Sequence, residues 1–284
     1  MSHAPRELRV NVDGGSLFVT TTGAGPPLLM VHGWPLDHRM FGPQFEELAG
    51  TFQVIGFDRR GFGRSEAPPD LRRELDDIDR ILEALDLEST HLLGMSQGGR
   101  IAIRYAVTRP SRLRSLLLQG AVVDGLRVEE HEAERVPVAE YAELVDAGRI
   151  EDVRRHWLHH PMMALDPQFS EQAQLVRRLL DEYTGADLIG FDPASYRFDN
   201  DVPAALETLS VPTLILTGGH ETAARKRHAD ELRRRIPGAR ELMLEGSGHL
   251  SNLTSAAQFN HAVSEFCLTA ERARRDQDEA LLME

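Results

Sequence analysis

Residues 91–102 read HLLGMSQGGRIA. His91–Met95 has the length and apolar character of a buried strand, and the following GGRIAIRYAVTR has helical spacing. Ser96 stands at the junction, with Gly94 two residues before it and Gly98 and Gly99 after it. A plain glycine-rich turn is one reading. The other is G-x-S-x-G, a serine held on a strained strand-to-helix elbow. Small neighbours suit that elbow, because so tight a turn leaves no room for side chains beside the serine. It lifts the hydroxyl above the sheet and sets the next amide at a helix start, where the N–H and the helix dipole can stabilise an oxyanion.

The segments around this stretch alternate in the way the elbow requires. LRVNV and SLFVTTTG read as two strands about the turn Asp13-Gly14-Gly15, a strong hairpin signal. PLLMVHG, QVIGFD and LRSLLLQG read as further strands. Between them Leu71, Leu75, Ile78, Leu82 and Leu85 mark a helix over Leu71–Leu87. From Gly125 to about Asn200 the strand signal stops, and VAEYAELVDAGRIEDVRRHWL and EQAQLVRRLLDEY look helical. The alternation then resumes with VPTLILTG, AARKRHADELRRRI, ARELMLEG and LTSAAQFNHAVSEFCL. The expected fold class is α/β: a mostly parallel sheet with helices on both faces. The core comprises residues 1–124 and 201–270, and a helical insert spans 125–200. The charged stretch ERARRDQDEALLME (271–284) continues the last helix or is disordered chain; the sequence leaves both open.

Composition narrows the function. The chain has 284 residues, 41% hydrophobic and 27% charged, with a formal net charge of -13. That is an ordinary globular balance, and an acidic surface repels phosphate backbones, so no nucleic-acid partner is expected. No apolar run is long enough to cross a bilayer, so no membrane partner is expected. The start MSHAPRELRV lacks the charged-then-apolar order of a signal peptide. The single cysteine, Cys267, fits a reducing, cytoplasmic setting.

A serine hydroxyl needs a base to become a nucleophile, and on such a fold the expected chain order is serine, acid, histidine. Twelve histidines are present. His249 in GSGHLSN is the candidate, because its loop follows the strand ARELMLEG and reaches the same rim as Ser96. The acid is Glu221, just after VPTLILTG, or Asp124 in QGAVVDG. Its work would be to orient the imidazole and stabilise its charged form. Two oxyanion donors are required. The Gln97 amide is one, and the Trp34 amide in MVHGWPLDHRMF is the other, Gly33 letting the chain turn and Pro35 having no N–H to offer. His32, Trp157, Met162 and Met163 are candidate pocket residues.

VHGWPLDHRMF, FDRRGFGRSEAP, GMSQGG, VPTLILTGGHE and GSGHLSNL, in this order and spacing, resemble the α/β-hydrolase family. The resemblance covers about residues 15 to 120 and 205 to 268. It implies an eight-stranded core sheet with a helical cap after strand six, and no metal or organic cofactor. It supports Ser96, Glu221 and His249 as the triad, with Trp34 and Gln97 as amide donors. GSGHLSNL and RRHWLHHPMM resemble the branch of esterases and 3-oxoadipate enol-lactonases. The family's usual acid here is aspartate, and this chain departs from it with Glu221. A serine at 96 argues against haloalkane dehalogenases and epoxide hydrolases, which use aspartate there.

Two further features read as structural. His156, His159 and His160 have helical spacing but no completing ligand set, so they read as cap residues rather than a zinc site. RKRHADELRRR reads as the solvated face of a helix. The expectation is thus a serine hydrolase acting on a small-molecule ester or lactone, with a homodimer left open. The same fold and triad also serve C–C bond hydrolysis, peptide hydrolysis, acyl transfer and non-enzymatic ligand binding.

Overall fold

The computed structural model describes residues 5–196 and 198–282. Its strands are β1 (Arg6–Val12), β2 (Gly15–Thr22), β3 (Pro27–Val31), β4 (Gln53–Phe57), β5 (Thr90–Met95), β6 (Leu113–Gln119), β7 (Thr213–Gly218) and β8 (Arg240–Leu244). They form one sheet in the order β1-β2-β4-β3-β5-β6-β7-β8. The Asp13-Gly14 turn closes β1 on β2 as a hairpin, and β2 also runs antiparallel to β4. Every pairing from β4 through β3 to β8 is parallel.

The helices among the described residues are α1 (Gly42–Leu48), α2 (Glu74–Ala84), α3 (Gln97–Thr108), α4 (Val138–Asp146), α5 (Ile150–Leu158), α6 (Ser170–Glu182), α7 (Val202–Leu206), α8 (Ala223–Arg235), α9 (Ser251–Thr254) and α10 (Ala256–Leu282). Strand parity sorts the core into two layers, because successive side chains leave opposite faces. Leu28, Met30, Leu93, Leu117 and Leu214 pack with Phe259, Val263 and Cys267 of α10. Leu29, Val31, Leu92, Leu116 and Ile215 pack with Ile78 of α2, Ile101 of α3 and Leu232 of α8. Both faces of the sheet are therefore covered, and β3, β5 and β7 are buried along their whole length rather than at alternate residues. Between β6 and β7 the described residues form helices α4 to α7 and short 3₁₀ turns, with no strand. Tyr141, Trp157 and Leu179 from this cap join the layer that holds α10.

The helix expected over Leu71–Leu87 occupies a narrower span. Asp86 adopts φ 56, a left-handed residue that ends a helix, and Leu71 remains in the preceding turn. The charged tail extends the last helix as far as Leu282. Glu271, its first residue, is part of the reason. It sits 3.2 Å from buried His91 and 3.1 Å from Arg114. The contact with His91 lowers its pKa, burial opposes this, and Arg114 lowers it further, to about 2. The carboxylate thus pins α10 to β5 and β6.

A depressed carboxyl pKa contributes stability that is present above the unfolded value near 4.5 and lost as pH falls toward about 2. Glu271→Gln is expected to cost about 1–2 kcal/mol at neutral pH, after discounting for solvent around the pair. In thermal melts the gap from wild type should close between pH 4.5 and 2. An unchanging gap would remove the ionic explanation.

Candidate active site

Ser96 joins β5 to α3 with φ 53 and ψ -115. A non-glycine residue in this region is strained by about 1–3 kcal/mol and persists only when its surroundings over-determine it. Its N–H donates to the Gln119 carbonyl at 2.7 Å, and its own carbonyl accepts from Arg100 N at 3.0 Å. Gly98 shows why a larger residue fails in the first turn of α3. A Cβ there would overlap the Val31 and His32 carbonyl oxygens at the end of β3. The turn is squeezed between strands, and Ser96 is pushed out above them.

His249 follows β8, and its Nδ1 shares a hydrogen bond of 2.6 Å with Glu221 Oε2. Both side chains are buried. Burial alone would raise the Glu221 pKa, but the charge and hydrogen bond of His249 and the Thr222 N–H overcome it, and the net shift is downward. Asp124, the alternative acid, is engaged elsewhere. Arg100 and Arg104 each hydrogen-bond its carboxylate at 2.5 Å.

Two residues that sequence reasoning passed over set this geometry. Gln119, at the end of β6, accepts the Ser96 N–H through its backbone, and its side chain donates to the His249 carbonyl at 3.0 Å. One residue thereby ties the serine loop to the histidine loop. Gly120 follows it at φ 54, and a Cβ there would lie 2.7 Å from His249 Cε1 and 3.1 Å from Glu221 Oε2. A glycine after a strand carries no sequence signal that separates this role from an ordinary turn.

The loop carrying Trp34 is held from both sides. Beneath it His32 is fully buried, with Nε2 accepting Arg59 N–H at 3.0 Å and Nδ1 3.0 Å from the Gly33 carbonyl. Burial, and then the Arg59 charge, push its pKa down to about 4, so it is neutral at pH 7. Above it, the Trp34 indole N–H donates to Asp187 at 2.8 Å, and Tyr183 O–H donates to the same carboxylate at 2.6 Å. Both partners belong to the cap. Gln97 opens α3, where the first N–H groups have no intrahelical acceptor. Its side chain is drawn aside by Arg59 at 2.7 Å, and Arg59 in turn forks onto Glu74 at 2.8 and 3.0 Å. DRRGFGRS therefore braces the site from below.

Ser96, Gln97 and Trp34 open on a cavity of about 580 Å³, a size typical for a small ligand. Val122, Leu126, Val136, Val138, Trp157 and Met162 supply much of its apolar wall. Two expected pocket residues are not on it. His32 is sealed behind the loop, because its ring nitrogens are used to brace the backbone. Met163 faces a separate small cavity with Leu158, His160 and Val176. The cap histidines are dispersed: His156 bonds Tyr141 O–H at 2.5 Å, and His160 stacks on Trp157. Among the described residues, the grouping of potential metal-ligand atoms is Asp37, His38 and Asp58, within 4.8 Å of one another. Their oxygens already accept bonds from Arg39, His38 and Arg64 N–H.

Gly120→Ala is expected to displace the His249 ring and destabilise the chain by about 1–3 kcal/mol, since a left-handed backbone and a steric overlap coincide. The low-field proton resonance of the His249–Glu221 hydrogen bond should move or vanish. A resonance identical to wild type would mean that Gly120 does not shape the pair.

The geometry has counterparts in known proteins. A family model described as alpha/beta hydrolase fold matches residues 26–256. The AB hydrolase superfamily protein YisY of Bacillus subtilis is 30% identical over 263 residues, covering 88% of this chain and 95% of that protein. The 3-oxoadipate enol-lactonase 1 of Acinetobacter baylyi is 24% identical over 271 residues, covering 94% of this chain and 98% of that protein. A solved thermophilic esterase from Thermogutta terrifontis aligns with a TM-score of 0.77 at 25% identity, over 93% of this chain and 99% of its own. Taken with the strand order and the serine elbow, the match shows that this chain belongs to the α/β-hydrolase fold family.

Proposed function

We propose that the protein is a serine hydrolase that cleaves a small carboxylic ester or lactone through an acyl-enzyme on Ser96. The observation that carries the reading is the 2.6 Å His249–Glu221 hydrogen bond, on the loop that Gln119 ties to the strained Ser96 turn. Ser96 Oγ attacks the carbonyl carbon while His249 accepts its proton, and the carbonyl electrons move onto oxygen. The Trp34 and Gln97 N–H groups receive that oxyanion. Collapse expels the alkoxide, which takes the proton from His249; in a lactone this leaving group stays attached to the acyl chain. Water then attacks the acyl-enzyme, giving a proton to His249; collapse breaks the acyl–Oγ bond, Ser96 takes that proton back, and the carboxylic acid is released. Glu221 orients the imidazole and stabilises its charged form.

The apolar wall of the cavity suits an acyl or alcohol chain, and the esterase and enol-lactonase among the relatives act within this class by name. No described helix is long and apolar enough to cross a membrane, and the lone buried Cys267 favours a reducing compartment, the cytoplasm.

A fluorophosphonate is expected to label Ser96, as read by mass spectrometry of the adduct. Ser96→Ala should fold as wild type and lose p-nitrophenyl ester turnover by roughly four to six orders of magnitude. Turnover retained in that variant would sink the mechanism. Folded wild-type protein that stays unlabelled and binds ligands without turnover would move the assignment to a binding protein.

A further inference from the structure

Beside its apolar wall, the cavity at Ser96 has a polar side where α3 brings Arg100, α8 brings Arg225 and His228, and the residues after β6 bring Arg127 and Glu130 at the rim. Four of these are accounted for. Arg100 is bound to Asp124. His228 Nδ1 accepts Val123 N–H at 3.3 Å, and burial, helped by Arg225 and Arg100, lowers its pKa to about 4, so it is neutral at pH 7. Glu130 and Arg127 are exposed.

Arg225 is different. Its Nε is sealed from solvent and has no acceptor, and its guanidinium forms no ion pair among the described residues. Burial weighs against its charged form, Glu221, Glu130 and Glu134 favour that form from a distance, Arg100 opposes it, and the net effect is a lowered pKa. Arginine nonetheless stays protonated in a protein. Arg225 is half-buried, and a polar atom sealed without a partner, as its Nε is, carries a cost. A cost of this kind, facing a ligand cavity, points to an absent anionic partner.

We propose that Arg225 is an anion subsite, so that the ester or lactone cleaved at Ser96 carries a second, ionised acid group. This rests on the hydrolase reading above and names its substrate class. The acid group would take the fork of N–H donors that Arg225 leaves unused, a planar match for a carboxylate. The neighbouring Arg100 adds positive potential, while the apolar wall holds the chain between the two ends. The scissile carbonyl then sits at Ser96 with the anion fixed at the far side, which is positioning as well as affinity.

The test uses a matched pair, monomethyl glutarate, which is anionic, and dimethyl glutarate, which is neutral. Wild type is expected to prefer the anionic ester in kcat/KM by at least about tenfold at low salt, with the preference shrinking as salt rises. Arg225→Gln should abolish that preference, and Arg225→Lys should restore part of it. In Ser96→Ala protein, which binds without turnover, Arg225→Gln should weaken monomethyl glutarate binding by about tenfold or more. Replacing phosphate-free buffer by phosphate at equal ionic strength distinguishes the anion source. Selective competition by phosphate would assign the site to a phosphorylated substrate, against the carboxylate form of the proposal. An equal preference in wild type and Arg225→Gln overturns the subsite. So does an equal loss on both esters with a shifted pH profile, which would make Arg225 a positioning residue for Glu221. Loss of the hydrolase reading looks different: neither ester is cleaved through Ser96, while the binding comparison still reports on Arg225.

Discussion

The first turn of α3 lies against the end of β3 so closely that no side chain fits at position 98. Much of the site follows from that contact. The chain must leave β5 through a left-handed residue to enter the helix, and that residue is Ser96. The same crowding places Gln97 at the head of α3, on the cavity that Trp34 also lines. The 2.7 Å bond from Ser96 N–H to Gln119 then fixes the elbow relative to β6, and through Gln119 relative to His249. Backbone contacts on both sides of Ser96, to Gln119 and Arg100, hold the elbow in place.

The fold was legible because its signals are local and redundant. Buried parallel strands show as short apolar runs, and the turn chemistry around Gly14 and Ser96 has few alternatives. Position in the chain left Glu221 and Asp124 both open, because both follow core strands, and the family resemblance favoured Glu221. In space Arg100 and Arg104, on α3, hold Asp124, while Glu221 bonds His249. The basic run in α8 misled for a related reason. Most of its charges do face solvent, but Arg225 and His228, three residues apart, share the inward face of the helix, and composition cannot tell those faces apart. His32 and Met163 sit beside true pocket residues in sequence while pointing away from them in space.

Buried charge is used throughout this molecule, with one pattern. Arg59 pairs with Glu74, Arg60 with Asp77, and the half-buried Arg114 with Glu271. Each pair sits where a loop or helix must hold one orientation relative to the sheet. Breaking such a pair is destabilising even where forming it contributes little, so these pairs specify geometry more than they add stability. Asp187 extends the pattern to the cap. Burial raises its pKa, and its two hydrogen bonds, from Trp34 and Tyr183, are what keep the cap in register with the loop below.

That register has an optical side. The chain holds two tryptophans, and both line the Ser96 cavity, their rings edge to face at 4.8 Å. One belongs to the core loop and the other to α5 of the cap. Tyr141 stacks on Trp34 and His160 on Trp157, so the tryptophan emission of the protein originates at the seam between cap and core. Separation of the two parts, or entry of a molecule between them, would alter the indoles' coupling and their wetting together, giving a native spectroscopic gauge of cap position without any added dye.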